Sequence, residues 1–351
     1  MTSQPFQERA ETLYQTVVKR FYVPEQNLYR DYVAARPDDL AYATLWPFSA
    51  LISALNALTK LDAAYCTPLR EAFQVLERYY DPNTPIPAYD SYVRSEGGGQ
   101  KYYDDNEWLG LDFLEAYHTL GDEQHLKQAE TMFTFAYSGW SDEMGGGIYW
   151  RENDRATKNT CSNGPAALLA LKLYQVTKEP RYVDIAKTLL DWLRRLRAPG
   201  GYYWDAMNAD GSIDKRTFTY NTATPLHTYA LLYEITGDQD YLIEAQALAE
   251  GAERYLAPVH AAAGVRIYPQ TPWFNAVLLK SYIALHQIDG NRQYIDAMYD
   301  GLDYAWEHAR GRDGLISGNW LGETGVDNPS QFILDQGAYV ELLALMARFK
   351  S

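Results

Sequence analysis

The sequence predicts an all-helical fold in which six helical hairpins close into a double ring, six inner helices inside six outer ones. Three observations predict it. Apolar residues recur at helical spacing through most of the chain, as in Ala166, Leu169, Ala170 and Leu173. Short turns alternate with long polar-aromatic loops. The hairpins repeat with a period of about fifty residues, the mark of units that bury their faces against neighbours. The 351 residues can bury a large core, and they read as one domain over 1–351.

Twelve helices are predicted, in order over 5–22, 44–60, 66–79, 104–120, 122–138, 159–176, 179–197, 221–236, 238–254, 272–289, 291–309 and 330–349. Helices 44–60 and 66–79 are joined by a short link. Helices 104–120 and 122–138 meet at Leu120-Gly121-Asp122. The next pair meets at Lys178-Glu179-Pro180, the next at Thr236-Gly237-Asp238, and the next at Asp289-Gly290-Asn291. Glycine ends one helix, and the Asp or Asn caps the one that follows. A Tyr-Leu type pair such as Tyr241-Leu242 then plugs the hairpin. The long connections run over 23–43, 80–103, 139–158, 198–220, 255–271 and 310–329. Within them, GGGIYW and GGYYWD are candidate short hairpins. Helices that follow long loops are placed inside, so their N-termini and the loops converge at one end. Loops held on a rigid scaffold tend to carry function, and helix N-termini bring free N–H donors and positive dipole ends.

Aromatic content supports a stacking cleft at that end. The chain has 30 Tyr, 9 Trp and 11 Phe. Trp46, Trp108, Trp140, Trp150, Trp204, Trp273 and Trp320 fall in long loops or first turns of inner helices, and only Trp192 and Trp306 on outer helices. About half of the clustered rings are expected to plug the barrel mouth instead. The net charge of −15 disfavours nucleic acid and anionic membranes, which demand Lys and Arg. No apolar run reaches the ~18 residues of a membrane span. Cys66 and Cys161 lie far apart, so no disulfide framework or CxxC exists and two free thiols are expected. No metal cluster or cofactor motif is present. The stretch MTSQPFQERAETLYQ has no basic start and no apolar core. It predicts a cytoplasmic chain, or a secreted one whose leader has been removed.

The sharpest local motif is Tyr102-Tyr103-Asp104-Asp105-Asn106-Glu107-Trp108, which follows Glu96-Gly97-Gly98-Gly99 and opens the fourth helix. Acidic residues at a helix start have a plain structural use as caps and dipole partners. Their chemical use is glycoside hydrolysis by two carboxylates flanking one sugar. Like charges flanking one sugar raise one pKa, which suits an acid, while helix-end N–H groups keep the other ionised. Histidine chemistry fares worse: His118 lies about 20 Å along the helix from Asp104, and only His227 and His260 are placed to approach the cleft. Neither a dinucleotide fingerprint, a P-loop nor a nucleophile elbow occurs.

The segments YYDDNEWLGLDFLEAYHTLGD, GGGIYWRENDRATKNTCSNGPAALLALKLY, YNTATPLHTYALLYEITGDQDYL and ILDQGAYVELLAL resemble glycoside hydrolase family 76, the endo-α-1,6-mannanases. The resemblance covers about residues 40–348, with DDNEW and KNTCSNGPAALLAL its most specific stretches. It implies an (α/α)6 barrel, a retaining mechanism on α-1,6-linked mannose oligomers or polymers, and no cofactor or metal. It assigns Asp104 as nucleophile and Asp105 as acid/base. Around them, Tyr103, Asn106, Trp150, Asn159, Asn163, Trp204, Tyr220, Asn221, Trp273 and Gln336 are the expected substrate-binding or supporting residues. For Asn159, Asn163 and Asn221, capping of an inner helix is the competing use.

Two rival readings remain open. One is another sugar-active enzyme on the same barrel, an epimerase using His227 and His260, or an unsaturated uronyl hydrolase. The latter needs basic subsites, for which Arg94, Lys101, Arg151, Arg155, Lys158, Lys215 and Arg216 are candidates. The other is a non-catalytic glycan-binding scaffold, which keeps the aromatic cleft but does not need both aspartates.

Overall fold

A computed structural model of the chain describes residues 5–34, 38–322 and 331–349. Twelve α-helices are present among the described residues. They are α1 (Phe6–Phe21), α2 (Leu45–Thr59), α3 (Cys66–Leu76), α4 (Tyr103–Leu120), α5 (Glu123–Ser138), α6 (Thr160–Thr177), α7 (Arg181–Leu193), α8 (Thr219–Thr236), α9 (Gln239–Leu256), α10 (Pro272–Asp289), α11 (Gln293–His308) and α12 (Ile333–Met346). Every expected helix is found. The expected start of the last one, residue 330, lies outside the described residues.

The turn chemistry shows why the hairpins close where they do. Gly121, Gly237 and Gly290 take left-handed φ of 68°, 73° and 72°, and each N–H bonds back to the carbonyl four residues earlier. Lys178 takes the same place with φ 60°. Asp122 and Asp238 then accept the amides of Gln124 and Asp240, starting α5 and α9.

Helices α2, α4, α6, α8, α10 and α12 contact one another in sequence, and α12 returns to α2 to close the ring. These inner helices are buried on nearly all sides. The outer helices α3 and α7 instead bury one apolar stripe. Close approach inside the ring depends on missing side chains. A Cβ on Gly337 would lie 2.9 Å from the Ala50 backbone carbon, and one on Gly164 would meet Thr224.

The long loops carry short antiparallel strands. The first loop pairs β1 (Tyr22–Val23) with β2 (Leu28–Tyr29), and the second pairs β3 (Tyr80–Asp81) with β4 (Ala88–Tyr89). The third and fourth build a shared sheet from β5 (Thr157–Asn159), β6 (Arg197–Ala198), β7 (Tyr202–Asn208) and β8 (Ile213–Thr217), with β7 pairing all three others. Residues 200–205 thus open a true hairpin. Residues 145–150 do not: Ile148 bridges Trp140, and the stretch is spent on closing a loop.

Candidate active site

The converging loops and inner-helix N-termini enclose a cleft of about 530 Å³. Asp104 and Asp105 occupy the first turn of α4 and both line it, partly exposed. Their surroundings differ. The Trp150 indole N–H donates to Asp104 Oδ2 at 3.2 Å, and the Asp105 amide donates to Asp104 Oδ1 at 3.1 Å. The Cys161 thiol, from the first turn of α6, also bears on Asp104. Burial raises the Asp104 carboxyl to about 6, and these three donors oppose the rise. No hydrogen bond supports the Asp105 side chain among the described residues. Burial and the neighbouring Asp104 push it well above the usual carboxylate range. Asp104 is therefore the group that ionises first, and Asp105 the one that keeps its proton.

Aromatic rings from four inner helices and a loop form the walls. Trp273 packs edge-on against Trp46 at 5.4 Å and Trp108 at 4.8 Å, while Tyr220 stacks on Phe274 at 4.2 Å. Trp150, packed on Tyr102 at 5.1 Å, is the one large ring of the cleft that is substantially exposed. The Tyr220 hydroxyl reaches Cys161, linking α8 through the thiol to Asp104.

Of the residues expected to bind substrate, Trp150, Asn159, Tyr220 and Trp273 line the cleft. Tyr103 does not. It turns inward onto Phe135, and Tyr102 takes the cleft position. Asn106, Asn163 and Gln336 are completely buried and face away from the cleft. Asn106 accepts the Tyr89 amide at 2.8 Å and donates to the Tyr89 carbonyl at 3.1 Å. Asn163 makes the same two bonds to Ile148, and Gln336 to Ile316. Each is the fourth residue of its inner helix, the place where an amide reaches the incoming loop backbone. Asn275 of α10 and Thr222 of α8 hold the corresponding positions, Asn275 against Tyr268 and Thr222 against the Tyr203 amide. These side chains clamp loops and do not touch sugar. Asn221 is also buried and acts through Asp205, to which its amide donates at 3.3 Å. Trp204 lies outside the cleft lining, its ring under Lys215. Among the seven clustered tryptophans, Trp46, Trp108, Trp150 and Trp273 line the cleft, whereas Trp320 is buried against Tyr268.

Sequence reasoning missed several residues of the lining, Cys161, Tyr102 and Asp205 among them. Cys161 read only as a thiol, although its place two residues after Asn159 was a signal. Tyr102 was passed over for its neighbour. Asp205 of β7 brings a third carboxylate to the cleft, paired with Arg216 at 3.0 Å. Of the basic residues weighed for uronyl subsites, Arg216 alone lines the cleft, and Asp205 and Asp214 both engage it. Lys158 instead donates to the carbonyls of Ser141, Glu143 and Gly146. Among the described residues no histidine lines the cleft, and no group of three or more His, Cys, Asp or Glu could hold a metal ion.

A double ring of helices with paired acids in the first turn of one inner helix defines a class of carbohydrate-active barrel. Residues 6–267 match the model of glycosyl hydrolase family 76, and the chain belongs to that family. A family 76 glycoside hydrolase from a bovine Bacteroides thetaiotaomicron strain superposes with a TM-score of 0.90 at 27% identity, covering 99% of this chain and 79% of that one. A family 76 mannosidase of Bacteroides thetaiotaomicron gives 0.87 at 27% identity, covering 97% and 98%. The mannan endo-1,6-alpha-mannosidase DCW1 of Saccharomyces cerevisiae is 30% identical over 128 residues, 33% of this chain and 28% of that protein. The chain spans less than half the length of the curated relatives it matches.

Proposed function

We propose that this chain is a retaining glycoside hydrolase that cleaves α-1,6-linked mannose oligo- or polysaccharides, with the catalytic unit formed by the whole chain. The observation that carries the reading is the unequal support of the acid pair. Asp104 has three donors and ionises near pH 6, while Asp105 has none and retains its proton. Family membership and the activity of the yeast relative, a mannan endo-1,6-alpha-mannosidase, support the sugar and the linkage.

In the first step the Asp104 carboxylate attacks the anomeric carbon. The bond to the leaving oxygen breaks as Asp105 gives that oxygen its proton, leaving a mannosyl ester on Asp104. In the second step Asp105, now a carboxylate, takes a proton from water. The resulting hydroxide attacks the anomeric carbon, the ester bond breaks, and Asp104 returns as a carboxylate with the configuration retained. Trp150 and the aromatic wall hold the pyranose faces.

The test is hydrolysis of α-1,6-mannotetraose by the wild type, Asp104→Asn and Asp105→Asn. Both variants are expected to lose at least about 10²-fold in rate. The first product seen by proton NMR should carry the α-anomer. Full activity in both variants, or β-product first, overturns the mechanism. Binding of the sugar without turnover by the wild type would leave a glycan-binding scaffold.

A further inference from the structure

The far end of the barrel holds a second cavity that the reaction does not use. It measures about 280 Å³ and is lined by the middle and C-terminal parts of the inner helices. Trp108 lines both this cavity and the cleft, so one indole separates them. Lys172 lies eleven residues beyond Cys161 on α6, which places it ~16 Å along the helix from the thiol that bears on Asp104.

The chemistry of its wall is unusual for a chain of net charge −15. Lys60, Lys172, Lys280 and Arg348 converge on it. Glu115 answers Lys60, and Glu341 answers Lys280 at 2.8 Å. Asp112, behind the wall, is raised to about 8 by burial and held by Ser53, so it brings little negative charge near neutral pH. Glu115, and after it Glu234, face Lys172, and neither forms an ion pair with it. Lys172 and Arg348 thus make no ion pair among the described residues. Burial holds Lys172 below the usual lysine range, the sign of an ammonium that lacks a full partner. His227 is kept neutral by burial and by Lys172 and Lys280, while His118 stands at the rim. The rest of the wall is hydrocarbon, from Leu111, Leu114, Leu168, Val277 and Leu345.

We propose that this cavity is a second ligand site, for a small organic anion with an apolar body. The anion's charge meets Lys172, with Arg348 at the entrance, and its body fills the space under Trp108. A site of this size and mixed lining matches the general character of small-molecule pockets, and a bound carboxylate supplies the partner that Lys172 lacks.

Calorimetric titration of the full chain with octanoate, octan-1-ol and inorganic phosphate tests this. Octanoate should bind saturably, one per chain, and at least about ten-fold more tightly than either octan-1-ol or phosphate, because only it offers both charge and hydrocarbon. Lys172→Met should weaken octanoate at least about ten-fold, while mannotetraose hydrolysis stays at the wild-type rate. Equal binding of octan-1-ol, unchanged binding in Lys172→Met, displacement of octanoate by mannotriose, or no saturable binding each overturns the proposal. The octanoate and octan-1-ol comparison uses the wild type alone, so it stands even if the variant does not fold.

Discussion

The indole N–H of Trp150 donates to Asp104 Oδ2 across 3.2 Å, fastening the third long loop to the first turn of α4. One side chain thus serves as a cleft wall and as a donor to the carboxylate assigned as nucleophile. Replacing Trp150 with Phe keeps a ring and removes the donor. Hydrogen bonds to charged groups contribute about 1.5–3 kcal/mol. We expect kcat/KM for mannotetraose to fall about ten-fold or more, and the acid limb of its pH profile to move upward. An unchanged acid limb would separate the indole from the charge on Asp104.

The pH dependence of the wild type follows from the same pair. Asp104 must be ionised and Asp105 protonated, which gives a bell-shaped kcat/KM. Its acid limb should fall near pH 6, where Asp104 titrates. Its alkaline limb should lie well above the ordinary carboxylate range. Asp105→Asn should abolish the alkaline limb in whatever activity remains.

Stability should follow the buried acids in the opposite sense to an ordinary ion-paired protein. Burial raises Asp31 to about 7, Asp112 to about 8 and Asp335 to about 6. An acid with a raised folded-state pKa binds its proton more tightly when folded. The stability it contributes is complete below the unfolded value near 4, and it is lost as pH rises through the folded value. Glu115, lowered to about 2 by Lys60 and Lys280 against the opposing effect of burial, works the other way and loses its contribution only in strong acid. The melting temperature should therefore peak in mild acid and decline between pH 5 and about 8, as followed by calorimetry. A flat profile across that interval would contradict the burial of these acids.

The loop clamps should be costly to remove. Asn106→Ala strips the Tyr89 amide and carbonyl of their partners in a fully buried place. Each stranded polar group costs about 1–3 kcal/mol, so a loss of about 2–5 kcal/mol is expected in urea unfolding. Activity should fall with it, because the second loop and Asp104 share this anchor. A loss below about 0.5 kcal/mol, the size of an ordinary surface change, would deny the clamp its role.

At Gly337 two effects oppose one another. Alanine in a helix interior is favoured over glycine by about 1 kcal/mol. Here its Cβ would press 2.9 Å from the Ala50 backbone carbon and 3.0 Å from its oxygen, which cannot rotate aside. Overpacking costs about 1–3 kcal/mol, so Gly337→Ala should destabilise on balance and widen the contact between α12 and α2. A raised melting temperature in the variant would show that the inner ring has slack.

Much of the architecture was legible without coordinates. Helical spacing, glycine-ended turns and the alternation of short and long links located all twelve helices and the end where the loops gather, because these signals act within a few residues of one another. The acidic pair and four of the ten expected cleft residues were legible as well; Asn159, Tyr220 and Trp273 sit in or beside the first turns of inner helices, and Trp150 in a long loop. Direction was not. Asn106, Asn163 and Gln336 share those first turns yet point into the loop backbone, and Tyr102 rather than Tyr103 faces the cleft. A helix places consecutive side chains about 100° apart, so a single residue step decides between cleft and interior, and only packing against the neighbouring helix settles it. The unequal surroundings of Asp104 and Asp105 belong to the tertiary structure as well. They depend on Trp150, Cys161 and Tyr220, which arrive from other hairpins, and a carboxyl group's proton affinity is set by what surrounds it in space rather than along the chain.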